Sequence, residues 1–263
     1  MLFDTNNVLK MDERNLLKLI STSKYVGYRL GDIVLNYPCE RKAHIETCYK
    51  PQKQKFPQSL AIQYTEIYKG PVSLGLKIGK HENIDYNISI LLKLCDEISI
   101  KDKPTHDDLV ATIRLGDMIE QNKEKRSGFE VAKLGGTFYT PNGGLRYILS
   151  AKQIMDKAKE LNTTNIILVG SKANGTGIQS VYYLKTIMIL LQQHGLNVKW
   201  YYSHSPDEDL VYISHARNLL EGPGGFCLIG KAISNFRFHK YEAINPTPNA
   251  VNFFHFHNDF LRN

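Results

Sequence analysis

Long apolar runs are missing from this sequence. No stretch of about 18 apolar residues occurs, so no helix is expected to span a bilayer. The opening residues, Met1-Leu2-Phe3-Asp4, lack the basic patch and apolar core of a secretory signal. The expectation is therefore a soluble, cytoplasmic chain. Cysteine is scarce: the four present are Cys39, Cys48, Cys95 and Cys227, and no two form a CxxC pair. Their spacing suggests neither a zinc site nor a disulfide framework. Cys95 and Cys227 stand in apolar surroundings and read as small core residues. Also absent are a Walker A loop, a GxSxG elbow and an HExxH helix. The only histidines with a paired spacing are His255 and His257, and two ligands do not make a metal site. No Asp-x-Asp motif offers itself for a divalent cation; Asp207-Glu208-Asp209 comes nearest and reads better as the start of a helix. Neither a metal nor any other cofactor is expected.

What the chain does have is 263 residues and a formal charge of +7. That length holds one large or two modest domains. The positive balance favours an anionic partner without choosing among nucleic acid, phosphorylated small molecules and membrane surfaces. The densest basic clusters, residues 50–55 and 123–126, are not interleaved with aromatics as a single-strand groove would be. They read as solvated surface, and nucleic acid is not the expected partner.

From residue 105 onward, strands alternate with helices. Apolar runs at 108–114, 165–170 and 197–202, and a shorter one at 218–221, have the continuous character of strands buried on both faces of a parallel sheet. Helical spacing is expected over 143–161, where Leu145, Ile148, Leu149, Ile154, Met155 and Ala158 recur, and over 178–194, closed by Gly195. Ser205-Pro206-Asp207-Glu208 has the N-cap, first-turn proline and acidic third position of another helix start. A last helix is expected over 226–233. Repeated βα units predict a Rossmann-like doubly wound sheet. The first hundred residues are less regular, with helices expected at 11–21 and 83–98 and strands at 24–28, 60–64 and 72–78. The charged run 101–107, with Pro104, is the natural linker. The predicted division is an α/β domain over 1–104 and a second over 105–263.

Three turns carry chemistry. The run Leu109-Val110-Ala111-Thr112-Ile113 ends in Arg114-Leu115-Gly116-Asp117, which puts an arginine at the carboxyl edge of a sheet, where α/β folds bind ligands. A guanidinium there suits a two-pronged grip on phosphate. A strand leaving through a charged turn would look the same. Gly222-Pro223-Gly224-Gly225 precedes a helix, and its backbone N–H groups can approach an anion closely; a tight βα connection needs the same residues. Near the start, Gly27-Tyr28-Arg29-Leu30-Gly31-Asp32 is a third turn, whose aspartate could act as a base or simply cap the next helix.

Arg-Leu-Gly-Asp at a strand end resembles the His-x-Arg-x-Gly-Asp signature of fucosyltransferase-type glycosyltransferases, with Thr112 in the place of the histidine. Residues 27–32 are similar to the Gly-Arg-x-Gly-Asn-Gln loop that opens such domains, with Asp32 in place of asparagine. Asp209, Ser214 and Ala216, followed by the glycine turn, resemble the donor-binding half of the same family. The order of the three motifs covers most of the chain. This resemblance implies a GT-B-like fold, two Rossmann-like domains about a central cleft with the N-terminal one reduced. It implies a metal-independent, inverting transfer of sugar from a nucleotide-diphosphate donor, of GDP-fucose or UDP-xylose type, to a glycan hydroxyl. Arg114 would stabilise the leaving phosphate, and Asp32 or Asp117 would be the base, with Asp32 preferred. Arg29, Gly31, Arg114, Asp209, Ser214, Gly224, Gly225 and Phe226 would line the donor site. The partners implied are a nucleotide sugar and a glycan acceptor, in a surface-glycan enzyme of bacterial or large-DNA-virus type. A non-catalytic nucleotide- or glycan-binding module on the same fold is the alternative, and a nucleic-acid-binding protein the more distant one.

Overall fold

The computed structural model describes residues 1–21, 92, 95, 96, 99–120, 125–140, 143–170, 175–203, 206–222 and 225–238. The described strands are β1 (Leu2–Asp4), β2 (Leu109–Thr112), β3 (Gly136–Thr140), β4 (Gly143–Ile148), β5 (Asn165–Val169), β6 (Asn197–Tyr201) and β7 (Asn218–Leu220). Five of them form one sheet in the order β1-β6-β5-β2-β7, and β3 and β4 form a separate hairpin. β6, β5, β2 and β7 are parallel, whereas β1 runs antiparallel along β6.

The described helices are α1 (Thr5–Lys10), α2 (Glu13–Ile20), α3 (Asp117–Glu120), α4 (Gly128–Leu134), α5 (Ala151–Glu160), α6 (Ile178–Gln193), α7 (Pro206–Ser214) and α8 (Gly225–Phe238). Among them, none is long and apolar enough to cross a membrane. Alternate residues of the central strands face two different cores. Leu109, Ala111, Ile166, Leu168, Val198 and Trp200 join the layer built with α1 to α6. Val110, Ile167, Val169 and Tyr201 meet Tyr212 and Ile213 of α7 on the other face. α8 lies against α7, so closely that a Cβ at Gly230 would stand 2.6 Å from Ile213 Cγ2. Two-sided burial is why β2 and β5 read as unbroken apolar runs, each fully buried side chain contributing about 1.5–3 kcal/mol.

The winding locates the site. After β2 the chain adds β5 and then β6 on one side, with α5 and α6 on one face. It then crosses by α7 on the opposite face to place β7 on the other side of β2. The reversal falls between β2 and β7, and in open α/β sheets the crevice at the carboxyl end of such a switch point is where ligands bind.

The expected strands at 108–114, 165–170, 197–202 and 218–221 are present, as are the helices opening at 178 and 206. Helix 143–161 is a correction. Its first six residues are β4, paired with the unforeseen β3 through Phe138 opposite Leu145 and Tyr139 opposite Gly144. A helical period fits Leu145, Ile148 and Leu149 only when Gly143-Gly144 is disregarded. The true helix starts after Ser150, whose side chain forms a capping box with Gln153. The last helix begins at Gly225 and runs five residues beyond Ile233, to Phe238. Expected strands at 24–28, 60–64 and 72–78 lie outside the described residues, as does most of helix 83–98, of which Leu92, Cys95 and Asp96 are described as helical.

The first 21 residues share the sheet and the core of the C-terminal strands. β1 pairs with β6, Leu2 opposite Tyr201 and Asp4 opposite Lys199. Val8, Leu16 and Ile20 are fully buried in the same core as the C-terminal strands. α2 is the helix expected at 11–21, shortened because Asp12 caps it by accepting the Asn15 amide at 2.9 Å.

Candidate functional site

β2 pairs with β5 as far as Thr112, and the Ile113 amide still bonds the Val169 carbonyl at 2.8 Å. Beyond that point the chain turns. Leu115 is buried in the main core, and Gly116 takes φ +88°, a conformation that favours glycine. Its carbonyl accepts the amides of Ile119 and Glu120 as α3 begins. Half-buried Arg114 is therefore carried on a short turn held by a core leucine on one side and a helix on the other.

Across the switch point, β7 leaves the sheet through Glu221 and Gly222. The Gly222 amide donates to Thr112 Oγ1 at 2.6 Å in a buried hydrogen bond. A Cβ on Gly222 would lie 2.6 Å from the Thr112 carbonyl oxygen, so the two strand ends touch backbone to backbone. Thr112 is the latch between them. Lys231 of α8 pairs with Glu221 beside this junction.

Cys227, in the first turn of α8, reports which groups converge here. Burial pushes its thiol up; a hydrogen bond with Thr112 and the Arg114 charge oppose that, while Glu221 and Asp209 reinforce it. Asp209 is itself buried, at 6 % exposure, in α7. Burial, then the Asp209 charge, also raises the phenol of Tyr201 at the end of β6. Arg114, Asp209 and Glu221 thus lie within electrostatic reach of Cys227, which bonds Thr112.

Of the residues expected at a site, Arg114 and Asp209 both act on the Cys227 thiol, in the first turn of the helix that Gly225 opens. Phe226 follows Gly225 in the first turn of α8, and Asp117 is the first residue of α3, three positions beyond Arg114. Ser214 is elsewhere. It is the last residue of α7, roughly 12 Å of helix from that helix's start at the carboxyl edge. Its hydroxyl donates to the Val211 carbonyl at 2.7 Å, and its carbonyl accepts from Arg237 Nε at 2.9 Å. Both contacts fasten helix ends at the opposite edge of the sheet. Arg29, Gly31, Asp32 and Gly224 lie outside the described residues.

Sequence reasoning passed over Thr112, Glu221 and Cys227, as well as Glu120 and Ser180 behind the arginine turn. The signal for the first three was position alone, at the ends of adjacent parallel strands. For the last two it was the start of α6 at Gly177, a cap position without a side chain.

No family model, curated protein or solved structure matches the chain. What the fold defines is a class: a doubly wound α/β sheet whose switch point ties two adjacent strand ends, Thr112 and Gly222, by a buried hydrogen bond.

Proposed function

We propose that this chain is a metal-independent, inverting glycosyltransferase of GT-B type, transferring a sugar from a nucleotide-diphosphate donor of GDP-fucose or UDP-xylose type to a glycan hydroxyl. The observation that carries the reading is the Thr112–Gly222 hydrogen bond at the switch point, which ties the end of the strand that leads into Arg114 to the turn that leads into α8. A phosphate there gains a planar cation from one strand end and the amide-rich start of α8 from the other. In two of the other helices in the sheet's layers, the N-terminus is already taken. Ser150 and Gln153 box the start of α5, and Glu120 accepts the Ser180 amide in the first turn of α6.

Arg114 offsets the charge that grows on the β-phosphate as the nucleotide departs, an effect of about 10²–10³ in rate for one well-placed donor. Asp32 takes the proton of the acceptor hydroxyl, with Asp117, at the start of α3, as the other candidate base.

The first test is thermal denaturation of the full chain with GDP, UDP, GDP-fucose and UDP-xylose, each with and without EDTA. A ligand at a hundred times its Kd stabilises by about 2.7 kcal/mol, a rise of several degrees for a protein of this size. Stabilisation by one nucleotide, indifferent to EDTA and lost in Arg114→Lys, is the expected result, because a lysine cannot reproduce the two-pronged grip. No shift with any nucleotide overturns the proposal, and a shift abolished by EDTA overturns its metal independence. Binding without sugar transfer would favour the non-catalytic module.

A further inference from the structure

The first turn of α6 obtains its cap from another element. Gly177 offers no acceptor, and Glu120 Oε1 accepts both the Ser180 amide and the Ser180 hydroxyl at 2.7 Å, 60 residues away in the chain. A carboxylate in that place also complements the helix dipole. Gly177 makes the room, because a Cβ there would stand 2.5 Å from Glu120 Oε2. The serine hydroxyl has one proton, which goes to Glu120, so its lone pair is left for a donor. That donor is the buried Gly116 amide, at 3.0 Å. The relay therefore runs with one polarity, from Gly116 N–H to Ser180 Oγ–H to the Glu120 carboxylate, and begins two residues from Arg114.

We propose that Glu120 and Ser180 are positioning residues for Arg114, holding its turn in the anion-binding geometry before any ligand arrives. The inference rests on the reading of Arg114 as the ligand of the donor's phosphate. A turn ordered in advance does not have to be ordered on binding, and the entropy spared appears as affinity. The same carboxylate occupies the start of α6, so an incoming phosphate is directed to the crevice between β2 and β7 rather than to that helix.

The test uses the full chain with Ser180→Ala, Glu120→Ala and Glu120→Gln, and Lys152→Ala on the exposed surface of α5 as control. Two quantities are read: amide hydrogen exchange over residues 114–120, and the Kd for GDP and for UDP by titration calorimetry. Ser180→Ala and Glu120→Ala are expected to speed exchange at Gly116 and to weaken nucleotide binding, each about tenfold, the worth of one buried hydrogen bond. Glu120→Gln keeps a carbonyl acceptor at the same place and is expected to recover most of both. Helix capping alone would leave the nucleotide Kd at the wild-type value. Unchanged exchange at Gly116 overturns the proposal, as does faster exchange with unchanged nucleotide affinity. A wild-type chain that binds neither nucleotide overturns the donor reading and the positioning role with it. Wild-type binding that the variants share overturns the positioning role alone.

Discussion

Thr112 is the last residue of β2, and its hydroxyl oxygen accepts the Gly222 amide across the switch point. Thr112→Val keeps the shape and the β-branched preference for a strand but removes that acceptor. A buried N–H left unpaired costs about 1–3 kcal/mol. The expected result is a lower urea midpoint with an unchanged slope, which marks a change of stability rather than of compactness. Thr112→Ser, which keeps the hydroxyl, is expected to recover most of the loss. An unshifted midpoint in Thr112→Val would mean that this hydrogen bond does not hold the two strand ends together. The residue also shows how a family pattern can hide local physics. Set against a histidine signature Thr112 is a departure, and set against β7 it is the contact that aligns two loops.

At the scale of elements, α7 is followed by a histidine, His215, that is sensitive to acid. His215 Nδ1 lies 2.8 Å from the Val211 carbonyl, one turn back. Burial holds its pKa below the usual 6.5; the Val211 bond and Asp96 work against this, and Arg237 and Lys103 work with it. The unfolded chain therefore takes up a proton at higher pH than the folded one. The stability this site contributes is complete above about pH 6.5 and falls as pH drops through 6.5 toward the lower folded value. Melting curves at about pH 7.5 and 5.5, either side of histidine's usual range, should show a smaller acid-induced drop in His215→Asn. An asparagine amide can keep the carbonyl bond without titrating, and an equal drop in both proteins would remove His215 as the cause.

Elements differ in how openly the sequence announced them. β2 and β5 were plain because burial on both faces leaves mostly apolar residues, Thr112 and Asn165 standing at strand ends. α6 was plain because it is long and ends at Gly195, with φ +79°. The β3–β4 hairpin was hidden because Leu145 and Ile148 imitate a helical period that then continues into a real helix. β1 was hidden because three residues carry no period at all. At the site, Arg114 and the glycine turn could be read as strand ends. Their meeting could not, since it depends on β7 lying next to β2, which is a property of winding rather than of either motif.

For the whole molecule, the first 21 residues are part of the sheet's architecture. Val8, Leu16 and Ile20 are each fully buried, at about 1.5–3 kcal/mol apiece. Their sum is of the same order as the entire stability of an ordinary domain, about 5–15 kcal/mol. A chain beginning at residue 22 would lose that burial and bare the edge of β6. It is expected to melt far below the full chain or to aggregate when expressed. Equal melting temperatures would show that β1, α1 and α2 are dispensable.

The pairing of β1 with β6 also sets an order of events in time. The Met1 amino group and the Tyr202 carbonyl it bonds are 201 residues apart in the chain. At a synthesis rate of roughly 5–20 residues per second, the ribosome needs about 10–40 s to supply the partner strand. Isolated helices shorter than about 12 residues are marginal in water, so α1 and α2 wait through that interval with their apolar faces open to solvent. The segment that carries β1 is made well before the strand it pairs with.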